Sequence, residues 1–305
     1  MDAPVISCPS AVSAQSADGS AVRVIYADPL VTGGLKPLTL GCTPASGASF
    51  VVGATTVACS VTDAQQRTSN CTFQVTVVRP AGPPRLSATK FLAFGDSITA
   101  GFIPDNTDSL LAGRIFRIVQ PDLSYPSRLQ TLLRARYPTQ NVTVVSSGIP
   151  GEKTFEGVVR LPGDLVRFTP EVVLLQEGVN DINSLGAAAI PATIQNLRTM
   201  IRTARASGAR VMVGTLLPQI PGLSRAAAPD LMAPFNAQLV PMVASEGASI
   251  VDLYSGLLVD LKTWISPLDG LHPNGSGYAE IARLFSVRII AELESPAAAT
   301  TASAR

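Results

Sequence analysis

The sequence predicts two modules, a small all-β sandwich followed by a larger α/β domain whose parallel sheet carries helices on both faces. Three observations predict this. All four cysteines, Cys8, Cys42, Cys59 and Cys71, fall in the first quarter of the chain. Short strand-like runs broken by turns fill that same stretch, whereas from about residue 86 apolar runs alternate with helical stretches, the pattern of a parallel sheet. Between the two, Arg79-Pro80-Ala81-Gly82-Pro83-Pro84 places three prolines in six residues, which favours an extended, semi-rigid linker. The expected boundaries are a sandwich over 1–79, a linker over 80–85, an α/β domain over 86–294 and a disordered Ala/Ser/Thr-rich tail over 295–305.

Composition narrows the classes. The 305 residues carry 23 basic and 22 acidic side chains, a formal charge of +1, so neither nucleic acid nor an anionic membrane is expected as the main partner. No apolar run approaches the ~20 residues that span a bilayer, and no transmembrane segment is expected. Four cysteines in so small a module read as two disulfides, each worth roughly 2–4 kcal/mol where the core is limited. A zinc site fits less well, because there is no C-x-x-C pair and no nearby histidine. Three connectivities are open, of which Cys8–Cys59 with Cys42–Cys71 is the one expected here. Disulfides imply an oxidising compartment, so a secreted or periplasmic protein is expected, with any signal peptide already removed.

Within the first module, strands are predicted at Val22–Tyr26, Leu38–Leu40, Thr56–Val61 and Thr72–Val78, the last alternating polar and apolar residues as a half-buried strand should. Val57 to Val78 reads as a hairpin across Asp63-Ala64-Gln65-Gln66-Arg67, with a cysteine on each arm. The pattern Cys8-Pro9, Cys42-Thr43-Pro44 through Phe50, Gly53 through Asp63, and Cys71-Thr72-Phe73-Gln74-Val75 resembles the hyalin repeat, an immunoglobulin-like extracellular module. The resemblance implies a spacer, an adhesion unit or a glycan-contacting unit. No aromatic platform for stacking a sugar is evident.

In the second module, β-rich runs recur at Lys90–Phe94, Val142–Val145, Val172–Leu175, Val211–Leu216 and Ser249–Leu253. Helices are predicted over Ser127–Tyr137, Ile190–Ser207 and Asp230–Glu246. A last one begins near Asn274 or Ser276, with Ile281, Leu284, Phe285 and Ile289 on one stripe. The segment from Phe102 to Leu123 fits none of these elements and reads as a wall of a substrate mouth.

The chemistry gathers at strand ends. Phe91-Leu92-Ala93-Phe94-Gly95-Asp96-Ser97 is an apolar run that stops at a glycine and delivers a hydroxyl, which makes Ser97 a candidate nucleophile. A serine needs a base, and the one histidine is His272, three residues after Asp269, close enough for that carboxylate to orient its ring. Gly151 after the second strand and Asn180 after the third are candidate donors to an oxyanion, one through its backbone and one through its side chain.

Taken in order, Gly95-Asp96-Ser97, Gly151, Gly178-Val179-Asn180-Asp181 and Asp269-Gly270-Leu271-His272 resemble the four sequence blocks of the SGNH, or GDSL, hydrolases. The resemblance implies a three-layer α/β/α fold with a five-stranded parallel sheet, and ester hydrolysis through an acyl-enzyme. It implies Ser97 as nucleophile, His272 as base and then acid, and Asp269 as the orienting carboxylate. The oxyanion hole would be the N–H of Ser97, the N–H of Gly151 and the Asn180 side chain. Asp96 and Asp181 are expected to order their turns. The family often carries asparagine where Ser146 stands, which leaves Gly148 as a weaker rival to Gly151.

No G-x-S-x-G elbow, Walker loop, dinucleotide fingerprint or H-E-x-x-H is present, so no cofactor and no metal are expected. The expected activity is carboxylester hydrolysis on short acyl chains. Carbohydrate deacetylation, of the acetyl-xylan type, and lysophospholipase or thioesterase action are the alternatives. A reading from another class is an adhesion or glycan-binding protein with a relic catalytic domain, which a broken set of blocks would have favoured.

Overall fold

The computed structural model describes residues 2–79, 83–105 and 116–295. Half of the predicted linker, residues 80–82, the centre of the Phe102–Leu123 segment and the tail from Pro296 lie outside the described residues. The chain divides into two compact units at Pro83 and Pro84. Arg85, expected in the linker, and Ser295, expected to start a disordered tail, are instead paired. Arg85–Leu86 runs antiparallel to Glu294–Ser295. The Gln140 side chain binds both the N–H and the carbonyl of Leu86. The larger unit thus closes its entering and leaving strands on each other, and Leu86 and Leu293 are buried beneath them.

The smaller unit is an immunoglobulin-like sandwich. Its main sheet has four strands in the order Val12–Gln15, Thr68–Val78, Gly53–Thr62 and Thr39–Thr43, and short pairs join Val5–Ser7 to Leu30–Thr32 and Val22–Arg23 to Ser49–Phe50. The predicted hairpin is present, with Thr62 opposite Thr68 and Val57 opposite Phe73. Alternation puts Val57, Cys59, Val61, Phe73, Val75 and Val77 inside, together with Tyr26 and Phe50. The predicted strand at Val22–Tyr26 is shorter than expected. Val24 and Tyr26 are buried, but beyond Arg23 the chain leaves the ladder.

The disulfides join Cys8 to Cys71 and Cys42 to Cys59, which corrects the expected pairing of Cys8–Cys59 and Cys42–Cys71. Register decides it. Cys59 sits on the middle strand, directly opposite Cys42 on one side and Cys71 on the other. Opposed residues share a face of the sheet, so Cys59 can bond to only one neighbour. It bonds to Cys42, with Cα atoms 4.0 Å apart, and Cys71 is left for Cys8, which follows the Val5–Ser7 strand packed beside it.

The larger unit is a three-layer α/β/α sandwich. Its strands, β1 (Lys90–Gly95), β2 (Thr143–Gly148), β3 (Val172–Gln176), β4 (Arg210–Gly214) and β5 (Ser249–Val251), form one parallel sheet in the order 2-1-3-4-5. β1 and β3 are almost wholly buried, as central strands covered on both faces must be. The predicted helices are observed as Tyr125–Arg136, Ile190–Ala206, Pro229–Ser245 and Gly275–Leu293. Asn274 caps the last through the Gly277 N–H, and Ile281, Phe285 and Ile289 are buried as the stripe required. Phe285 stacks on Tyr125 at 5.1 Å.

Thr154–Phe168 is the longest of the helices that were not anticipated, the others being short. It carries Pro162 inside it, and Phe155, Val159 and Val166 are exposed while Leu161 and Leu165 are buried. The apolar residues share one side of this helix, but a proline inside the run ordinarily ends or kinks a helix, and Pro162 hid it. Order 2-1-3 places a topological switch point between β1 and β3, where the crevice of an open α/β sheet forms beyond the strand ends.

Candidate active site

Three of the predicted residues meet at that crevice. Gly95 ends β1 against β3 so closely that a Cβ would come within 2.0 Å of the Gln176 carbonyl oxygen. Asp96 then caps a one-turn helix, Ser97–Ala100, by accepting from the Ile98 N–H at 2.9 Å. Ser97 is therefore the first residue of a helix, where an N–H has no partner within the helix. Its Oγ lies 2.9 Å from His272 Nε2, across 175 residues of sequence.

His272 is held from behind. Its Nδ1 lies 2.6 Å from Asp269 Oδ2, while Asp269 Oδ1 accepts from the backbone N–H groups of Leu271 and His272, both at 3.0 Å. Burial works to raise the Asp269 carboxyl. The His272 hydrogen bond and charge, with the two N–H groups, outweigh it and hold the acid below its ordinary range. An ionised Asp269 accepts the Nδ1 proton and leaves Nε2 free to accept one. The Phe102 ring lies against the imidazole, centroids 4.3 Å apart, and all three of Ser97, Asp269 and His272 are buried. A serine, imidazole and carboxylate in this line can move a proton off a hydroxyl and return it to a leaving group.

The two candidate glycines have different surroundings. At Gly148 a Cβ would fall 2.2 Å from the Ala100 nitrogen and 2.6 Å from the Asp96 oxygen, so this glycine lets β2 pack under the Ser97 turn. Gly151 lies in an open turn at φ 84°, with nothing within 4 Å of a Cβ there. Asn180 Nδ2 donates to the Glu152 carbonyl at 2.9 Å and reaches Asp96 Oδ2 at 3.4 Å, which brings the third strand's loop against the second's. Asp181 accepts from the Thr154 N–H and hydroxyl, tying the unanticipated helix to the same loop.

Beneath the site is a group of acids for which sequence reasoning found no signal. Burial, with Asp96 and Glu152 nearby, pushes Glu177 up to about 9, and neither of its oxygens has a hydrogen-bond partner among the described residues. Burial likewise pushes Asp96 up to about 7, against the Ile98 N–H that lowers it. Arg160 lies among these groups, bonded to Glu152 and Asp164. Glu177 stands immediately before the Gly178-Val179-Asn180-Asp181 block, but only its burial against Gly157 makes it unusual. Arg160 belongs to no motif.

A recess of about 280 Å³ beside the Gly151 turn is lined by Ile149, Pro150, Gly151, Glu152 and Glu156. A larger groove of about 510 Å³, between Asp122, Arg128, Leu132 and Arg283, includes none of Ser97, Asp269 or His272. The smaller recess includes none of the three either, and of the residues predicted for the site it holds only Gly151. Among the described residues no group of His, Cys, Asp and Glu is arranged to hold a metal ion.

A 2-1-3-4-5 parallel sheet with a serine, histidine and aspartate meeting at its switch point defines the class, an SGNH-type hydrolase. The model of the GDSL-like Lipase/Acylhydrolase family matches residues 93–280, that of the HYR domain matches residues 1–77, and the chain belongs to the GDSL-like lipase/acylhydrolase family. It is similar to an arylesterase of Vibrio mimicus, 26% identical over 210 residues that cover 68% of this chain and 91% of the relative. Esterase TesA of Pseudomonas aeruginosa is 27% identical over 188 residues, 61% of this chain and 81% of the relative. Among solved structures, a lipase/acylhydrolase from Enterococcus faecalis superposes with a TM-score of 0.53 at 26% identity, covering 68% of this chain and 97% of that one. The protein is a carboxylic ester hydrolase.

Proposed function

We propose that this is a secreted serine esterase that cleaves short-chain acyl esters through an acyl-enzyme. The observation that carries the reading is the unbroken line from Ser97 Oγ through His272 to Asp269, with spacings of 2.9 and 2.6 Å. Ser97 attacks the ester carbonyl while His272 Nε2 takes its proton. His272 then protonates the departing alkoxide, leaving the acyl group on Ser97. Water, deprotonated by the same nitrogen, attacks the acyl-enzyme, and the proton returns to Ser97 as the acid leaves. Negative charge on the tetrahedral oxygen is met by the N–H of Ser97, the N–H of Gly151 and the Asn180 amide. Gly151 suits this role better than Gly148, which is enclosed by the Ser97 turn.

The two disulfides support export to an oxidising compartment. The immunoglobulin-like unit serves as a spacer or a glycan contact, and Phe102, which begins a short strand over Phe102–Asp105, forms one wall of the mouth.

Hydrolysis of p-nitrophenyl acetate, butyrate and palmitate by the intact chain and by Ser97→Ala tests the reading. Acetate and butyrate are expected to turn over faster than palmitate, and all turnover is expected to vanish with Ser97. Activity that survives Ser97→Ala would sink the assignment. Retention of the full-length Ser97→Ala chain on insoluble xylan stripped of its acetyl esters would favour glycan contact by the first unit, and its absence would leave a spacer.

A further inference from the structure

Arg160 ties together three segments of the site, although the reaction itself does not use it. Its Nε and Nη2 donate to the two carboxylate oxygens of Glu152 at 2.7 and 2.5 Å, the planar two-point grip that only arginine makes. Nη2 also reaches the Ser147 carbonyl at 3.2 Å and the Gly95 carbonyl at 3.4 Å. Nη1 donates to Ser147 Oγ and to Asp164 Oδ2, and the guanidinium lies 3.8 Å from the centre of the Phe94 ring. Gly95 ends the strand that delivers Ser97, Ser147 stands near the end of β2, and Glu152 follows Gly151.

We propose that Arg160 is a positioning residue: by clasping Glu152 against the ends of β1 and β2 it fixes the Gly151 turn and, through the Glu152 carbonyl, the Asn180 amide. The inference rests on the reading of the oxyanion site given above. Glu152 is the link. Its side chain is 4% exposed and gripped by Arg160, and its backbone oxygen holds Asn180 Nδ2 at 2.9 Å. A guanidinium present only to balance the buried acids would need no such geometry, and a lysine would replace it. A helix-surface ion pair would need only Asp164, four residues along.

The test compares the full-length chain with Arg160→Lys, Arg160→Met, Glu152→Gln and the double variant Arg160→Met/Glu152→Gln. End-point labelling of Ser97 with a fluorophosphonate counts competent sites, so that kcat on p-nitrophenyl acetate is expressed per labelled site and a loss of folded protein does not enter. Both arginine variants are expected to lose about 10–10²-fold in kcat per labelled site, with KM within about threefold, as for a displaced oxyanion donor. Glu152→Gln is expected to fall in the same direction but less, and the double variant no further than Arg160→Met, since the two act as one unit. Where Arg160→Met does not fold, Arg160→Lys and Glu152→Gln decide. Wild-type kcat per labelled site in those two, or a loss confined to KM, would overturn the proposal. An intact chain that neither labels at Ser97 nor hydrolyses the ester would overturn the reading of the site itself, and the proposal with it.

Discussion

The two units of this chain solve the same stability problem by different means. The immunoglobulin-like unit has a small core, built from alternate residues of short strands, and is crossed by two disulfides. The hydrolase unit has no cysteine, but its sheet is buried on both faces, and its core is large enough to enclose the Glu177 carboxyl, which has no hydrogen-bond partner among the described residues. Small domains bury a smaller fraction of their surface and need covalent help. A larger core can tolerate the local cost of buried charge, and such costs gather at functional sites. Carboxyls show the contrast most clearly. In the small unit Asp63 is stabilised in its charged form by Arg67 and three N–H groups, whereas in the large unit Glu177 is driven toward its neutral form.

The largest expected effect separates the units by function. Ser97→Ala is predicted to lower kcat/KM for p-nitrophenyl acetate by about 10⁴-fold or more while calorimetry finds both units melting as before. Asn180→Ala is expected to cost about 10²–10³ in kcat, the usual loss for one oxyanion donor. A loss seen only in KM would remove Asn180 from that role.

Disulfide removal tests the comparison itself. Cys42→Ser with Cys59→Ser, or reduction, is predicted to destabilise the first unit by roughly 2–4 kcal/mol per bridge, with esterase activity unchanged. An equal fall in the hydrolase unit's melting would show that the two are not separately stabilised.

The two carboxyls give smaller effects of opposite sign. Glu177 titrates near 9 when folded against an ordinary 4.5, so the folded state binds the extra proton and stability falls as pH rises between those values. Glu177→Gln is therefore predicted to be more stable than the parent above neutral pH, by at least about 1 kcal/mol, with the advantage vanishing near pH 4.5. Denaturant titrations at several pH values check this, and a pH-independent difference would refute it. Asp63 titrates at about 2 against an ordinary 3.8, so its contribution is present above 3.8 and is lost as pH falls toward 2. Thermal melts of the first unit are expected to fall over that window, and Asp63→Asn to flatten the dependence.

Much of the site was legible because its residues sit where the chain changes character. Ser97 follows an apolar run, Asn180 lies in the turn after another, and Asp269 lies three residues before the one histidine. What was not legible depends on partners distant in sequence. The Thr154–Phe168 helix hid behind Pro162, and with it went Arg160, whose partners come from β1, β2 and the Gly151 turn. The disulfide pairing failed for a related reason, since three of the four cysteines lie in line across adjacent strands and spacing along the chain carries no record of that register.

By itself the sequence determined the two-module plan, the parallel sheet and the candidate serine, aspartate and histidine that the fold brings together, because periodicity and local motifs act over a few residues and are written in consecutive positions. The tertiary structure alone decided which cysteines bond, that Gly148 packs while Gly151 stands open, and that Glu177 is buried beside Arg160. Those outcomes depend on which segments meet at a strand end and how much water they exclude, and both are properties of the packed chain.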